Sequence, residues 1–122
     1  MYQDEGGGGI RWTPERVAAD LIEAFRLLPH LPVYSPRRGE FRPVLPGQDL
    51  APLDLITRSE QILGRASDER RAVLVWARAK ATKGEVGGSV RAYCIETGTD
   101  LQTFNRRRKR ACARIAEVLN GG

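Results

Sequence analysis

The sequence predicts an all-α protein, and three observations support that prediction. Apolar residues recur in several segments at the three- and four-residue spacing of an amphipathic helix. Residues that cap helices precede these segments, and glycines follow them. No pair of alternating apolar and polar segments is joined by a tight hairpin turn, so strand signals are absent. The length of 122 residues fits one small helical domain, which we place at residues 10–122.

The chain begins with an acidic stretch that ends in four glycines, and we expect residues 1–9 to form a disordered tail. This stretch lacks the basic start and apolar core of a secretory leader. No window approaches the roughly 18 consecutive apolar residues of a membrane span. We therefore expect a cytoplasmic protein without a membrane partner.

The first helix is predicted to start at Thr13-Pro14-Glu15. Thr13 can act as the N-cap, Pro14 suits the first helical position, and Glu15 interacts favourably with the positive end of the helix dipole. Pro29 should end this helix. Its inward stripe is expected to contain Val17, Ala18, Leu21, Ile22, Phe25 and Leu28.

Residues 29–48 contain five prolines and no helical or alternating period, which predicts a long connection. Aromatic and arginine residues are interleaved along it, namely Tyr34, Arg37, Arg38, Phe41 and Arg42. Such a connection can contact a nucleic acid or a protein partner, or its aromatic residues can simply pin it to the core. The sequence leaves these alternatives open.

Two further helices are predicted in the middle of the chain. The second should run from Pro52 to Leu63, with Gly64 as its C-terminal cap. The third should begin after Ser67 and end near Gly84. We expect the inward residues of these helices to be Leu53, Ile56, Ile62, Leu63, Val73, Leu74, Trp76, Ala77 and Ala81.

The third helix also carries basic residues, which we expect on its surface, where they either serve solubility or contact phosphates. These residues are Arg70, Arg71, Arg78, Lys80 and Lys83. Trp76 and Trp12 are expected to anchor the core, although Trp12 precedes the first helix and is also suited to a partner-binding groove.

Residues 89–119 predict a helix-turn-helix. Ser89 can cap a short helix over Val90–Thr97, and Gly98 can supply the positive φ that a tight turn needs. Asp100 can then cap a longer helix over Leu101–Leu119. The inward residues at helical spacing are Tyr93, Cys94, Phe104, Ala111, Cys112, Ile115, Val118 and Leu119.

Cys94 and Cys112 are the only cysteines and His30 is the only histidine. Two cysteines in these positions predict small buried side chains, with no disulfide framework and no zinc site. We therefore expect no metal and no cofactor. The glycine run at residues 6–9 is not followed by Lys-Ser or Lys-Thr, so it is not a phosphate-binding loop. The sequence predicts a protein that is not an enzyme.

Charge is unevenly distributed along the chain. Residues 65–122 carry 13 basic and 6 acidic side chains, a net charge of +7, whereas residues 1–64 have a net charge of −2. A basic half of this kind indicates a polyanion such as double-stranded DNA as partner. A solvated basic face, or a basic helix that packs on an acidic protein, is the alternative interpretation.

The last predicted helix divides into two sets of candidate DNA contacts. The N-terminal residues of a recognition helix read base edges, and Asn or Gln pairs with adenine while Arg pairs with guanine. The base-reading candidates are Gln102, Thr103, Asn105 and Arg106. Arg91 and the basic run after position 106 are expected to hold phosphates, a contribution that depends on salt. The phosphate candidates are Arg91, Arg107, Arg108, Lys109 and Arg110.

Residues 89–115 resemble the promoter-reading helix-turn-helix at the C-terminus of bacterial sigma factors. The match has no gap and places Gly98 at the turn, Asp100 at the helix start and Phe104 at the inward position of the second helix. Tyr93-Cys94, Ala111-Cys112 and Ile115 occupy the other apolar positions. Arg107 is the departure, since that family prefers an aliphatic residue there.

Residues 10–120 also resemble a family of small phage and prophage proteins without an assigned function, and the match is loose between residues 29 and 50. The matching segments are Arg11-Trp12-Thr13-Pro14, Arg70-Arg71 and Val75-Trp76-Ala77-Arg78-Ala79. Related modules occur in activators of phage-like gene transfer agents. The resemblance implies control of late or packaging genes.

The sequence thus predicts a DNA-binding regulator of transcription that acts on phage or phage-like genes. A small terminase-like DNA-packaging subunit and an antitermination factor that binds RNA polymerase are the alternatives. A chain of this length buries a modest core, so a homo-oligomer is compatible with it.

Overall fold

The structure is a computed structural model that describes residues 11–33 and 51–121. These residues contain five helices and no strand, so the predicted all-α class is confirmed. The helices are α1 (Pro14–Leu27), α2 (Ala51–Leu63), α3 (Asp68–Thr82), α4 (Val90–Thr97) and α5 (Leu101–Leu119). The expected tail at residues 1–9 and most of the proline-rich connection, residues 34–48, lie outside the described part of the chain.

The capping residues explain the helix starts. Thr13, Ser67, Ser89 and Asp100 are N-caps, and each side chain accepts a hydrogen bond from the backbone N–H three residues later. At the other end of α3, Lys83 adopts the left-handed conformation with φ 54°, one residue before the expected glycine. The helix bounds thus agree closely with those predicted from local sequence.

The core lies between α1, α3 and α5, and α3 packs against both of the others. Its largest fully buried side chains are contributed by four helices and include Leu21, Phe25, Ile56, Leu74, Phe104 and Ile115. Leu28 was expected in this core and is 40% exposed, because α1 ends at Leu27 and the backbone of Leu28 is no longer helical. Trp12 and Trp76 are partly buried and pack against the core from its edge.

Arg70 corrects a second expectation, since it lies in the interior with 2% of its surface exposed. Its Nε donates to Ser59 Oγ at 2.9 Å, and its Nη2 donates to the Ile56 carbonyl at 3.3 Å. Burial lowers the pKa of this guanidinium, while Glu60 acts in the opposite direction. Arg70 therefore ties α3 to α2 and is not available to a phosphate.

The C-terminus of α5 is joined to the segment that precedes α1. Asn120 Oδ1 accepts from the Trp12 backbone N–H, and Asn120 Nδ2 donates to the Trp12 carbonyl, both at 2.9 Å. Arg16 lies over the Trp12 ring, with its guanidinium carbon 4.2 Å from the ring centroid. These contacts fix the end of α5 against α1.

None of the helices described here is both long enough and apolar enough to span a membrane.

Candidate nucleic-acid interface

The candidate site is the pair of helices α4 and α5 together with the turn at residues 98–100. Gly98 has φ 68°, in the left-handed region that favours glycine, and it ends α4. Thr99 N–H then donates to the Cys94 carbonyl at 3.0 Å, which closes the turn. The two helices are therefore separated by three residues only, so the start of α5 lies beside the end of α4.

Asp100 fixes the first turn of α5 through Thr103. The Thr103 backbone N–H donates to Asp100 Oδ1, and the Thr103 hydroxyl donates to Oδ2, both at 2.9 Å. These hydrogen bonds stabilise the carboxylate and lower the pKa of Asp100. Asp100 is consequently ionised at neutral pH, and Thr103 is held by its own helix.

The four base-reading candidates differ in what they contact. Gln102 and Arg106 are exposed, and Arg106 makes only a long hydrogen bond of 3.4 Å to Thr103 Oγ1. Thr103 and Asn105 are half-buried, and Asn105 Oδ1 accepts from Arg108 Nε at 3.2 Å. Gln102 and Arg106 are thus the members of this set that face solvent with free polar groups.

Two of the phosphate candidates contact the first turn of α3. Arg107 Nη2 lies 3.7 Å from Asp68 Oδ2, and Arg110 Nη1 lies 3.8 Å from Glu69 Oε2. These ion pairs hold the Arg107 and Arg110 guanidiniums against the first turn of α3. The α3 carboxylates also offset part of the positive charge of α5.

The other phosphate candidates on α5 have different surroundings. The Arg108 guanidinium carbon lies 4.5 Å from the centroid of the Trp76 ring, in cation–π geometry. Lys109 is exposed and forms no ion pair within the described residues. Lys109 is therefore the cation of the run at residues 107–110 that is free to meet a polyanion.

Arg91, the phosphate candidate on α4, is exposed and borders an open groove between α4 and the start of α5. The groove has a volume of about 470 Å³ and is lined by Arg91, Cys94, Ile95, Thr99, Asp100 and Leu101. Ile95 is 75% exposed and Leu101 is 53% exposed. No local sequence signal predicts this groove, because Leu101 is three residues from Phe104, a spacing that is typical of an inward residue.

Both cysteines are buried, as expected, and neither has the environment of a reactive thiol. Burial raises the pKa of Cys112 to about 11, although Arg108 acts in the opposite direction. Burial also raises the pKa of Cys94, and the nearby Asp100 carboxylate adds to that shift. Among the described residues, no group of histidine, cysteine and acidic side chains has the arrangement of a metal site.

The sequence missed the residues of α3 that organise the basic helix. Asp68 and Glu69 lie in the first turn of α3 and face Arg107 and Arg110. Trp76 was expected in the core and instead lies at its edge beneath Arg108. These contacts depend on how α3 packs on α5, and no local signal in the sequence reports that packing.

A scan against protein-family profiles, a search of curated proteins and a search of solved structures each gave no match to this chain.

Proposed function

We propose that this chain is a sequence-specific DNA-binding regulator of transcription that inserts α5 into the major groove. The observation that carries the proposal is the exposed polar surface on the first half of α5, formed by Gln102, Arg106 and Lys109. The opposite side of the same helix is buried through Phe104 and Ile115. A helix that is anchored by the core and presents an amide and cations to solvent has the requirements of a recognition helix.

Direct base contacts are assigned to Gln102 and Arg106. An exposed glutamine amide can pair with the N6 and N7 edge of adenine, and an arginine can pair with O6 and N7 of guanine. Thr103 and Asn105 take a supporting role, because their side chains already bond Asp100 and Arg108.

Phosphate contacts are assigned first to Arg91 and Lys109, which have no ion-pair partner in the described part of the chain. Arg107 and Arg110 can join them by exchanging a carboxylate for a phosphate. Their ion pairs with α3 are long and partly exposed, and pairs of that kind contribute little stability. Such contacts give affinity and a steep salt dependence without sequence selectivity.

The assignment to phage or phage-like genes rests on the sequence resemblance alone, through the segments around Trp12 and Trp76. Fold and surface charge do not specify which genes are controlled.

A gel-shift titration with DNA selected from a random pool tests the proposal, with scrambled DNA of equal length as competitor. We expect Arg106→Ala to lose about 1–3 kcal/mol of discrimination between the selected and the scrambled sequence. Arg114→Ala is the matched control, because Arg114 is exposed on the second half of α5 and pairs with Glu117. Equal affinity of the wild-type protein for selected and scrambled DNA would reject the proposal.

Two further measurements separate the alternative functions. A stable multi-subunit ring in light scattering would favour a DNA-packaging subunit. Capture of RNA polymerase in the absence of any DNA affinity would favour the antitermination factor.

A further inference from the structure

The groove between α4 and α5 has two exposed aliphatic side chains in its lining. Ile95 and Leu101 lie on its two sides, and both side chains are more than half exposed. Two exposed aliphatic side chains that share one groove form a small apolar patch, and covering it with an apolar group of a partner would be favourable.

If α5 enters the major groove of DNA, the α4–α5 groove lies next to the edges of the bases. Leu101 is the first residue of α5, directly before the exposed Gln102. Side chains in the first turn of a recognition helix meet base edges in the major groove. Of the four bases, only thymine presents a methyl group there, whereas the other edges present hydrogen-bond donors and acceptors. An aliphatic side chain would leave those polar groups without partners.

The charged residues around the groove are compatible with a thymine nucleotide bound there. Arg91 lies on its border and can hold a phosphate of the same strand. The Asp100 carboxylate also borders the groove, but its two oxygens accept hydrogen bonds from Thr103 and lie at the N-terminus of α5. The phosphate is therefore directed to the Arg91 side and the apolar part of the base to Leu101.

We propose that the α4–α5 groove reads thymine, with the 5-methyl group packed between Leu101 and Ile95. This inference rests on the proposed DNA-binding function. It adds a specificity-determining pair of aliphatic residues to the polar contacts of Gln102 and Arg106.

The test replaces each thymine of the selected DNA site, one at a time, with deoxyuridine, which lacks only the 5-methyl group. Burial of one methyl group contributes roughly a fourfold change in affinity. We expect deoxyuridine at one position to weaken binding about fourfold and the remaining replacements to have little effect. No effect at any position would overturn the inference.

Protein variants then assign the methyl contact to the groove. Leu101→Ala should bind the thymine and deoxyuridine sites with equal affinity, and Ile95→Ala should reduce the difference. Leu27→Ala is the matched control, since Leu27 is a similarly exposed leucine at the end of α1 and should keep the full difference. A Leu101→Ala variant that still distinguishes the two sites would overturn the inference.

The alternative occupants and a failure of the proposed function give distinct results. If light scattering finds a dimer that Leu101→Ala dissociates in the absence of DNA, the groove binds a second copy and the inference is wrong. Binding without any sequence preference would reject the proposed function and the inference together. Selective binding without a deoxyuridine effect would reject the inference alone. Circular dichroism melting of each variant establishes that the exposed substitutions leave the fold intact.

Discussion

The two helices of the candidate interface are held in place by different means. α5 contributes five buried side chains and packs on α3, whereas α4 contributes only Cys94 to the interior. Beyond Cys94, α4 contacts the core through the partly buried Val90 and Tyr93, and the Ser89 cap and the left-handed Gly98 set its ends. The core therefore fixes α5 through many buried side chains, whereas α4 depends more on the local backbone conformation at its two ends.

The loop that leads into α4 also depends on a glycine, Gly87. Gly87 has φ 78°, and a Cβ atom placed there would overlap the guanidinium of Arg78 on α3. The absence of a side chain at this position lets Arg78 lie against the loop that leads into α4. A larger residue at position 87 would be strained at this φ and would push the Arg78 guanidinium aside.

The largest expected effect comes from removing the main anchor of α5. Phe104 is 1% exposed and its ring lies 5.7 Å from that of Tyr93 in an edge-to-face arrangement. Phe104→Ala should lower the free energy of unfolding by about 3–5 kcal/mol, because it leaves a cavity between α5, α4 and the core. Urea unfolding followed by circular dichroism measures this loss.

The control for this prediction lies on α4. Ile95→Ala removes an aliphatic side chain that is mostly exposed, so its free energy of unfolding should stay within about 0.5 kcal/mol of the wild type. If Phe104→Ala and Ile95→Ala lowered the free energy of unfolding by similar amounts, α4 would be anchored as firmly as α5. The proposed difference between the two helices would then be wrong.

The sequence predicted these helices well because their boundaries are set by local chemistry. Thr13, Ser67, Ser89 and Asp100 each cap the helix that follows them, and Gly98 turns the chain as expected. Each of these features depends on a few neighbouring residues, so a single sequence contains the information.

The sequence could not predict contacts that depend on packing between distant helices. A buried Arg70 is stabilised by oxygens of Ser59 and Ile56 on α2, which only the folded chain brings near. The pairing of Arg107 with Asp68 likewise depends on how α5 crosses α3. The run at residues 107–110 was therefore predicted as one set of phosphate contacts, whereas its members have distinct surroundings in the structure.

The second prediction concerns the cysteine of α5. The pKa of Cys112 is raised from 9.0 to about 11 in the folded protein, so the unfolded chain loses this thiol proton first as the pH rises. Stability is unaffected below the unfolded pKa and decreases between pH 9 and about 11. At about pH 11 the free energy of unfolding should be lower by roughly 2 kcal/mol, because each unit of pKa shift corresponds to about 1.4 kcal/mol.

Urea unfolding at several pH values measures this effect, and Cys112→Ala isolates it from other groups that titrate in alkali. Cys112→Ala is less stable than the wild type at neutral pH because it loses a buried sulfur. As the pH approaches 11, only the wild type loses stability through this thiol, so the two free energies of unfolding should become more similar. A difference that stays constant with pH would contradict the burial of this thiol.

The third prediction compares the two thiols directly. Cys94 lies on the weakly packed α4, so local opening of that helix should expose it without unfolding the protein. Cys112 lies on the buried side of α5 within the core, so we expect its exposure to a reagent to require opening of the whole fold. We expect Cys94 to react at least about tenfold faster with a neutral thiol reagent, which corresponds to ~1.4 kcal/mol in opening free energy.

Peptide mapping after timed labelling with iodoacetamide distinguishes the two sites. Both thiol pKa values are raised, so the comparison is made at one alkaline pH below 9 to keep the protein folded. Equal labelling rates would show that α4 and α5 open together.

The smallest expected effect is a change in how DNA affinity depends on salt. It distinguishes cations without an ion-pair partner from cations that are paired with a carboxylate. Loss of one phosphate contact lowers the slope of log affinity against log salt by about 0.9. Lys109→Ala on α5 and Arg91→Ala on α4 should each approach this value, since neither cation has an ion-pair partner in the described residues.

Arg107→Ala should change the slope by less, because Asp68 already neutralises Arg107 in the free protein and must be released before a phosphate binds. Asp68→Asn removes this competition, so in that background the effect of Arg107→Ala should rise toward that of Lys109→Ala. Gel-shift titrations at four salt concentrations give each slope, and Arg114→Ala is again the control. If Arg107→Ala and Lys109→Ala change the slope equally in the wild-type background, the carboxylates of α3 do not compete with DNA. The basic run would then act as the single uniform surface that its sequence suggests.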